Sequence, residues 1–538
     1  MAFYLVNMSL FEASAYSRVC FPLRLADGKR HQKVSAGFPL IRIAFSVVAV
    51  ATLLTLLPSA APAQGSPPTI QSVVAALRVH DNSRALALCK ELTHTRSDDP
   101  RLWTLEGMAL EGLGRNEETV KALNRALAIN PDYVPALEAM AQLEFQAGSP
   151  KARPYLEHLV HLNPDNQTAH AMLASLAFKR KDCGAAVVHF EKSREVISGN
   201  SAALAEFGAC LARAQHAGEA IPVFQRILEL HPDDGNARYN LGLVEFRAQQ
   251  YQDAINALLP LTQGSQASPV ALNLIAAVYE ARDQTPQAVA ALRRALALAP
   301  RNADNYLDLA TISLDHGSFK VGADVLDAGI NILPNSAPLY LERGVLLVQM
   351  GRFQEADADF RKAAALRPAQ NYSAVALGIS LLQENKMAQS LALVKQRLAK
   401  APDDPVLNYL LAEILIRKGI QPGAPEFNQA VAAAQHAVQM KTDFTAAQDA
   451  LAGLYLRSGE TRRAAETSRL ALKSDPGDQS ALYHLIVCAR KEGDRKELSQ
   501  LVEKLAQVSA AAQKQEAARN RFRLVEEGPK SSAPERSN

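Results

Sequence analysis

Along most of the chain a small residue falls at one position in every 34. Gly107, Ala141, Ala174, Gly208, Gly242, Ala276, Ala310, Gly344, Gly378, Ala412 and Ala452 carry this slot, with steps of 34 apart from one of 33 and a last one of 40. A second slot keeps the same period through Ala186, Ala220, Ala254, Ala288, Gly322, Ala356, Ser390, Ala430 and Ala464. Around both, larger apolar residues recur three and four apart, the spacing that places side chains on one face of a helix. Over 335–368, Tyr340, Gly344 and Leu347 share one such face, and Phe353, Ala356, Phe360 and Ala363 share a second. Gly351 divides them, because the left-handed residue that closes a helix is least strained as glycine. Pro368 ends the second helix, since it has no amide hydrogen and clashes with the preceding turn. Pro131, Pro164, Pro232, Pro300, Pro334, Pro402 and Pro476 mark the same point of the period elsewhere. The pattern predicts an all-α chain built as a stack of helical hairpins.

The small slots have a geometric cause. Two helices cross closely only where a side chain is small, so Gly344 lets the second helix of its hairpin approach and Ala356 does the reciprocal job. Asp132, Asp165, Asp233, Asn302 and Asp403, beside the closing prolines, are expected to cap the next helix through a side-chain oxygen. The pairs Asp98-Asp99, Asp233-Asp234 and Asp403-Asp404 read as caps and solvated turns rather than as metal ligands.

These residues resemble the tetratricopeptide repeat family, through Trp103…Gly107, Tyr306…Ala310, Tyr340…Gly344 and the prolines named above. The likeness covers about residues 66–505 and implies a right-handed α-solenoid of about thirteen helix-turn-helix repeats. It also implies a protein or peptide partner. His170, Arg238, Asn408 and Gln448 stand where the family favours a large hydrophobe. The segment 421–426 breaks the clock by six residues and reads as a lengthened turn after Gly419, either a tolerated insertion or a partner-contact loop. Residues 506–527 are expected to form a capping helix, and 528–538 a disordered tail.

Residues 1–63 read as a targeting segment ahead of a repeat domain over 64–505. A basic stretch at 29–33 and Arg42 precedes 15 uncharged residues, 43–57, and then Ala61-Pro62-Ala63. These are the parts of a secretory signal. As a helix the apolar run spans roughly 22 Å, short of the ~30 Å hydrocarbon core. The expectation is export to a bacterial periplasm, with an inner-membrane anchor through 43–57 as the alternative and the only membrane contact foreseen. Four cysteines follow the segment: Cys89, Cys183, Cys210 and Cys488. They read as small buried hydrophobes, with a Cys183–Cys210 disulfide between neighbouring repeats as the other possibility.

Net charge is +3, and the first 63 residues hold six Lys/Arg against two Asp/Glu, so the remainder is close to neutral. Such a balance gives no electrostatic footprint for nucleic acid. No phosphate-binding, zinc-protease or nucleophile-elbow motif occurs. His158 and His161, three apart, have no third ligand at meaningful spacing. The chain therefore reads as a non-enzymatic interaction scaffold with no catalytic residue, cofactor, metal or small-molecule substrate. The resemblance to tetratricopeptide repeats implies that its partner lies on the concave face made by the first helices of the hairpins. There Tyr239, Leu307, Leu341, Val345, Val375, Ile379 and Tyr409 form an apolar strip, flanked by Arg213 and Arg247 on one side and Arg417 and Arg457 on the other. That pattern suits an extended peptide with an apolar middle and acidic ends. The alternative is an accessory subunit of a polysaccharide, glycan-transfer or secretion system.

Overall fold

The computed structural model describes residues 68–265 and 267–521. The targeting segment 1–63 and the tail 528–538 lie outside them, as does the end of the capping helix beyond 521. The described residues form 27 α-helices in two compact units, 68–258 and 259–521. In the first unit these are α1 (Ile70–Arg78), α2 (Asn82–Thr95), α3 (Pro100–Gly112), α4 (Asn116–Ile129), α5 (Val134–Gln146), α6 (Ala152–Leu162) and α7 (Gln167–Lys179). They continue as α8 (Cys183–Glu191), the single turn α9 (Arg194–Ile197), α10 (Ser201–Arg213), α11 (Ala217–Leu230), α12 (Gly235–Arg247) and α13 (Tyr251–Leu258).

The second unit opens with a 3-10 turn, Leu259–Thr262. It then holds α14 (Pro269–Glu280), α15 (Thr285–Leu298), α16 (Ala303–Asp315), α17 (Phe319–Ile332), α18 (Ala337–Gln349), α19 (Phe353–Leu366) and α20 (Tyr372–Gln383). The remainder are α21 (Met387–Leu398), α22 (Pro405–Arg417), α23 (Pro425–Met440), α24 (Thr445–Ser458), α25 (Thr461–Ser474), α26 (Gln479–Glu492) and α27 (Arg495–Arg521). Within each unit the helices pack on their sequence neighbours, and the first helices of several successive hairpins also touch one another.

A left-handed residue divides the two helices of every hairpin: His80, Gly114, Gly148, Lys181, Gln215, Gln249, Asp283, Gly317, Gly351, Asn385, Gly419, Gly459 and Gly493, all at positive φ. Thirteen such turns count thirteen helix-turn-helix repeats. The small slots work as expected. A Cβ on Gly344 would stand 2.5 Å from the ring of buried Phe360, and one on Gly242 2.5 Å from Leu258. Capping falls one residue later than expected in three repeats: Asn166, Asp234 and Asp404 accept from first-turn amides, rather than Asp165, Asp233 and Asp403. Asn302 caps α16 as expected. Asp132 instead takes His158, with Nε2 2.8 Å from Oδ1.

The polar departures from the family's large hydrophobe share one hydrogen bond with the residues they replace. Trp103 Nε1 donates to the carbonyl six residues earlier, Ser97, and the Tyr306 and Tyr340 hydroxyls donate to Pro300 and Pro334. Arg238 donates to Pro232 at 2.6 Å, Asn408 to Pro402 at 2.7 Å and Gln448 to Thr442 at 2.7 Å. His170 Nε2 lies 2.9 Å from the Pro164 carbonyl. At these seven positions the side chain ties the first helix to the preceding turn, while Leu137, Leu204, Leu272, Ala374 and Leu482 fill the same slot in other repeats. Asn408→Leu, although it matches the hydrophobic pattern better, is therefore expected to destabilise by about 1–3 kcal/mol by leaving that carbonyl unpaired. Urea unfolding of the two proteins checks this.

Two boundaries differ from the sequence reading. The second helix of the repeat at 251 is eight residues long rather than the usual fourteen, because Pro260 lacks an amide hydrogen and ends it. The division between the units falls there. No separate helix begins at 506, since α27 runs unbroken from Arg495 through 521. Of the extra residues at 421–426, the first four lie in the turn between α22 and α23, and Pro425 and Glu426 begin α23. Cys183 and Cys210 are disulfide-bonded, with Cα atoms 4.9 Å apart, joining α8 to α10 of the next hairpin. Cys89 and Cys488 are free and buried. No described helix is long and apolar enough to cross a membrane.

Candidate functional site

The structure separates the expected strip into core and surface. Tyr239, Leu307, Val375, Ile379 and Tyr409 are buried, covered by neighbouring helices, so as they stand they contribute packing rather than open contact surface. Leu341 and Val345 are half-buried against the cluster of Leu347, Ala356, Phe360 and Ala376. The four arginines are exposed, but each is engaged within the chain. Arg213 lies over the Phe178 ring and Arg417 pairs with Glu413 at 2.7 Å. Arg247 donates to the Ala212 carbonyl and Arg457 to the Ile420 carbonyl. Lys491, in the same slot, donates to Leu456. The basic slot thus stitches repeats together at the electronegative ends of the preceding first helices.

Of the expected residues, Tyr409 and Arg457 meet in a cleft of about 530 Å³ within the second unit. Its walls are the first helices of the last three hairpins, closed at one side by α27. Helix α22 contributes Tyr409, Glu413 and Ile416, and α24 contributes Ala446, Asp449, Ala450, Gly453, Leu454 and Arg457. Helix α26 adds Gln479, Ser480, Tyr483 and His484, and α27 adds Leu505 and Ser509. Tyr483 stands at the rim with 58% of its surface exposed. Gly453 leaves space beside the imidazole: a Cβ there would meet His484 Nε2 only at 3.6 Å.

The floor is polar and incompletely paired. Asp449 Oδ1 and His484 Nδ1 lie 4.0 Å apart, beyond hydrogen-bond reach. Both atoms are closed to solvent and have no hydrogen-bond partner. Their side chains nevertheless keep 12% and 17% of their surface open. Burial, and then the carboxylates of Asp478 and Asp475, push the Asp449 carboxyl up to about 9. The proton so held is stabilised by a hydrogen bond to Asp478, which itself caps α26 through the Ser480 and Ala481 amides. Burial pushes His484 down, against an upward pull from Asp478. At neutral pH the floor therefore holds an uncharged carboxyl and an uncharged imidazole. Among the described residues no group of three or more His, Cys, Asp or Glu could hold a metal.

Asp449, Tyr483 and His484 were missed by the sequence reading, although the repeat points to two of them. Counting on from Tyr409 by 40 and then 34 reaches Asp449 and Tyr483 in the same inward slot. A search for an apolar strip passes over them because both depart from it.

Tetratricopeptide repeat profiles match residues 100–133, 211–267, 274–337 and 341–405. The chain carries tetratricopeptide repeats, and with them the general character of a protein- or peptide-binding scaffold. It is similar to Protein NPGR1 of Arabidopsis thaliana, at 31% identity over 84 residues, 15% of this chain and 12% of that protein. It is also similar to the cytochrome c-type biogenesis protein CycH of Rhizobium meliloti, at 29% over 175 residues, 32% of this chain and 46% of that one. The chain thus spans less than half the length of each. Among solved structures, yeast Tom70 aligns over 84% of this chain and 95% of its own, with 18% identity and a TM-score of 0.41.

Proposed function

We propose that the chain is an exported adaptor that holds an extended segment of a partner protein against the first helices of its last hairpins. The observation that carries the reading is the cleft between α22, α24, α26 and α27, which offers apolar walls, an exposed aromatic rim and an unsatisfied polar floor in one place. Ligand pockets are typically concave and mostly apolar, with a few convergent polar groups, and peptide grooves add pockets that read individual side chains. Export to an oxidising compartment is supported by the Cys183–Cys210 bond, since such bonds persist mainly outside the cytosol, and by the basic, apolar and Ala-Pro-Ala sequence of the N-terminus. The partial likeness to a cytochrome c-type biogenesis protein favours an adaptor in the assembly of other envelope proteins over a part in glycan transfer.

The test is binding of the whole chain to a spotted array of random decapeptides, alongside Gly453→Leu. Gly453 is helical with room beside it, so leucine fills the cleft without backbone strain. Circular dichroism establishes that both proteins remain equally helical. Loss of array binding in the variant is the expected result. An unchanged set of bound peptides places the working surface elsewhere and ends this reading.

A further inference from the structure

We infer that the cleft selects a basic side chain, lysine or arginine, of the bound segment, with its cationic head received at Asp449 and His484. The inference rests on the cleft being a peptide site and names what that site reads. Two observations carry it. The first is the pair of acceptors. Asp449 Oδ1 and His484 Nδ1, an acceptor in the tautomer that carries its proton on Nε2, both lack a hydrogen-bond partner, and their 4.0 Å separation is too long for them to satisfy each other. A nitrogen placed about 2.9 Å from each would see them at roughly a right angle, within the range that adjacent N–H bonds of an ammonium or guanidinium can serve. Both atoms are closed to solvent in the free chain, so receiving a cation requires the Asp449 carboxyl to turn toward the cleft that its side chain lines.

The second observation is charge. The charged groups that act on Asp449 are the carboxylates of Asp478 and Asp475, with no cation offsetting them. Arg457, the nearest candidate on the same helix, is held by the Ile420 carbonyl and lies over the Phe427 ring. Arg417 is taken up by Glu413. A positive charge is what this floor lacks. Tyr483, exposed at the rim, supplies aromatic surface of the kind that also favours cations.

Binding a cation must displace the proton that Asp449 holds. In balanced form, the neutral carboxyl releases one proton to solvent and its carboxylate pairs with the incoming ammonium or guanidinium, whose own protons stay in place. The other ionisable groups at or beside the cleft are Tyr409 and Glu413 on α22, Arg457 on α24, Asp475 and Asp478 in the turn before α26, and Tyr483 and His484 on α26, while α27 presents Leu505 and Ser509. With one proton released per peptide bound, affinity rises with pH, up to tenfold per unit between pH 6 and 8.

The experiment uses decapeptides whose fifth residue is fixed in turn as each amino acid, on the whole chain, Asp449→Asn and Gly453→Leu. The expected result is enrichment of peptides with Lys or Arg at that position and a five- to tenfold tightening per pH unit. Asp449→Asn should lose both the enrichment and the pH dependence while still binding apolar peptides. Calorimetry of the best peptide in two buffers of different ionisation enthalpy should read about one proton released by the parent and none by Asp449→Asn. Peptides bound without basic preference, a preference for acidic residues, or a preference that survives in Asp449→Asn overturns the inference but leaves the peptide site standing. No peptide binding by the parent overturns both.

Discussion

Asp449→Asn is expected to stabilise the second unit by about 2–4 kcal/mol at pH 7 and to flatten its pH dependence between pH 5 and 9. The carboxyl's value is raised from 3.8 to about 9 in the folded chain, first by burial and then by Asp478 and Asp475. The folded state therefore keeps a proton that the unfolded state gives up above pH 4. Stability from this group is fully present below about 3.8, declines as pH rises, and is lost once pH passes about 9. Between 3.8 and 7 lie about three units, each worth about 1.4 kcal/mol, and sharing of the proton with Asp478 takes part of the total. Asparagine has the same shape, carries no charge to desolvate, and offers an amide donor in place of the carboxyl hydroxyl. Urea unfolding of parent and variant at pH 5, 7 and 9 measures the difference, which should be smallest at pH 5, about one unit above 3.8, and grow upward. Parallel curves for the two proteins would contradict the raised value and the burial that causes it. A parent that loses stability by holding Asp449 in this place behaves as a binding site does, where unsatisfied groups await a ligand.

The fold was legible because the repeat imposes backbone requirements that few residues meet. Gly344 facing Phe360 and Gly351 at a left-handed turn are visible in sequence as glycines at fixed spacing. Six of the thirteen left-handed turns carry other residues, among them Lys181, Gln215 and Gln249, and only the arithmetic of the period finds those. The early end of α13 was missed because Pro260 was not weighed against an otherwise regular clock. His170, Arg238, Asn408 and Gln448 looked like defects while the slot was judged by hydrophobicity. What these four share with Trp103, Tyr306 and Tyr340, a hydrogen bond to the carbonyl six residues back, belongs to three-dimensional geometry. The site was legible only in outline. A residue in the inward slot can be covered by the next repeat, as Leu307 is by Leu339 and Leu346, or left at an opening, as Tyr483 is, and the period is the same in both cases. Asp449 gains its character from Asp478, 29 positions away, which sequence spacing does not reveal.

Breaking the Cys183–Cys210 bond is expected to cost the first unit about 3–4 kcal/mol. The bond closes a loop of 27 residues of sequence separation, and the entropy withheld from the unfolded chain by such a loop is of that size. It also fastens the start of α8 to α10, and Cys210 is fully buried there beside Phe207 and Leu211, so the lost constraint lies in the core between two repeats. Neither free cysteine among the described residues is placed to reshuffle the bond. Burial, and then Glu106, push the Cys89 thiol up to about 12, and burial likewise raises that of Cys488, so little thiolate is present to attack. In a stack whose repeats interact with their neighbours, the effect should stay local. Hydrogen exchange of a Cys183→Ala, Cys210→Ala chain should show amides of α7 to α11 losing protection, with those of α22 to α26 unchanged. Thermal unfolding with and without dithiothreitol should shift only the transition of the first unit. An unshifted transition would mean that the bond adds nothing to the fold. Acid quenching and alkylation of intact cells then asks the same pair where it works: protection of Cys183 and Cys210 from alkylation agrees with export, while free thiols at both positions place the chain in a reducing compartment and remove the main structural support for export.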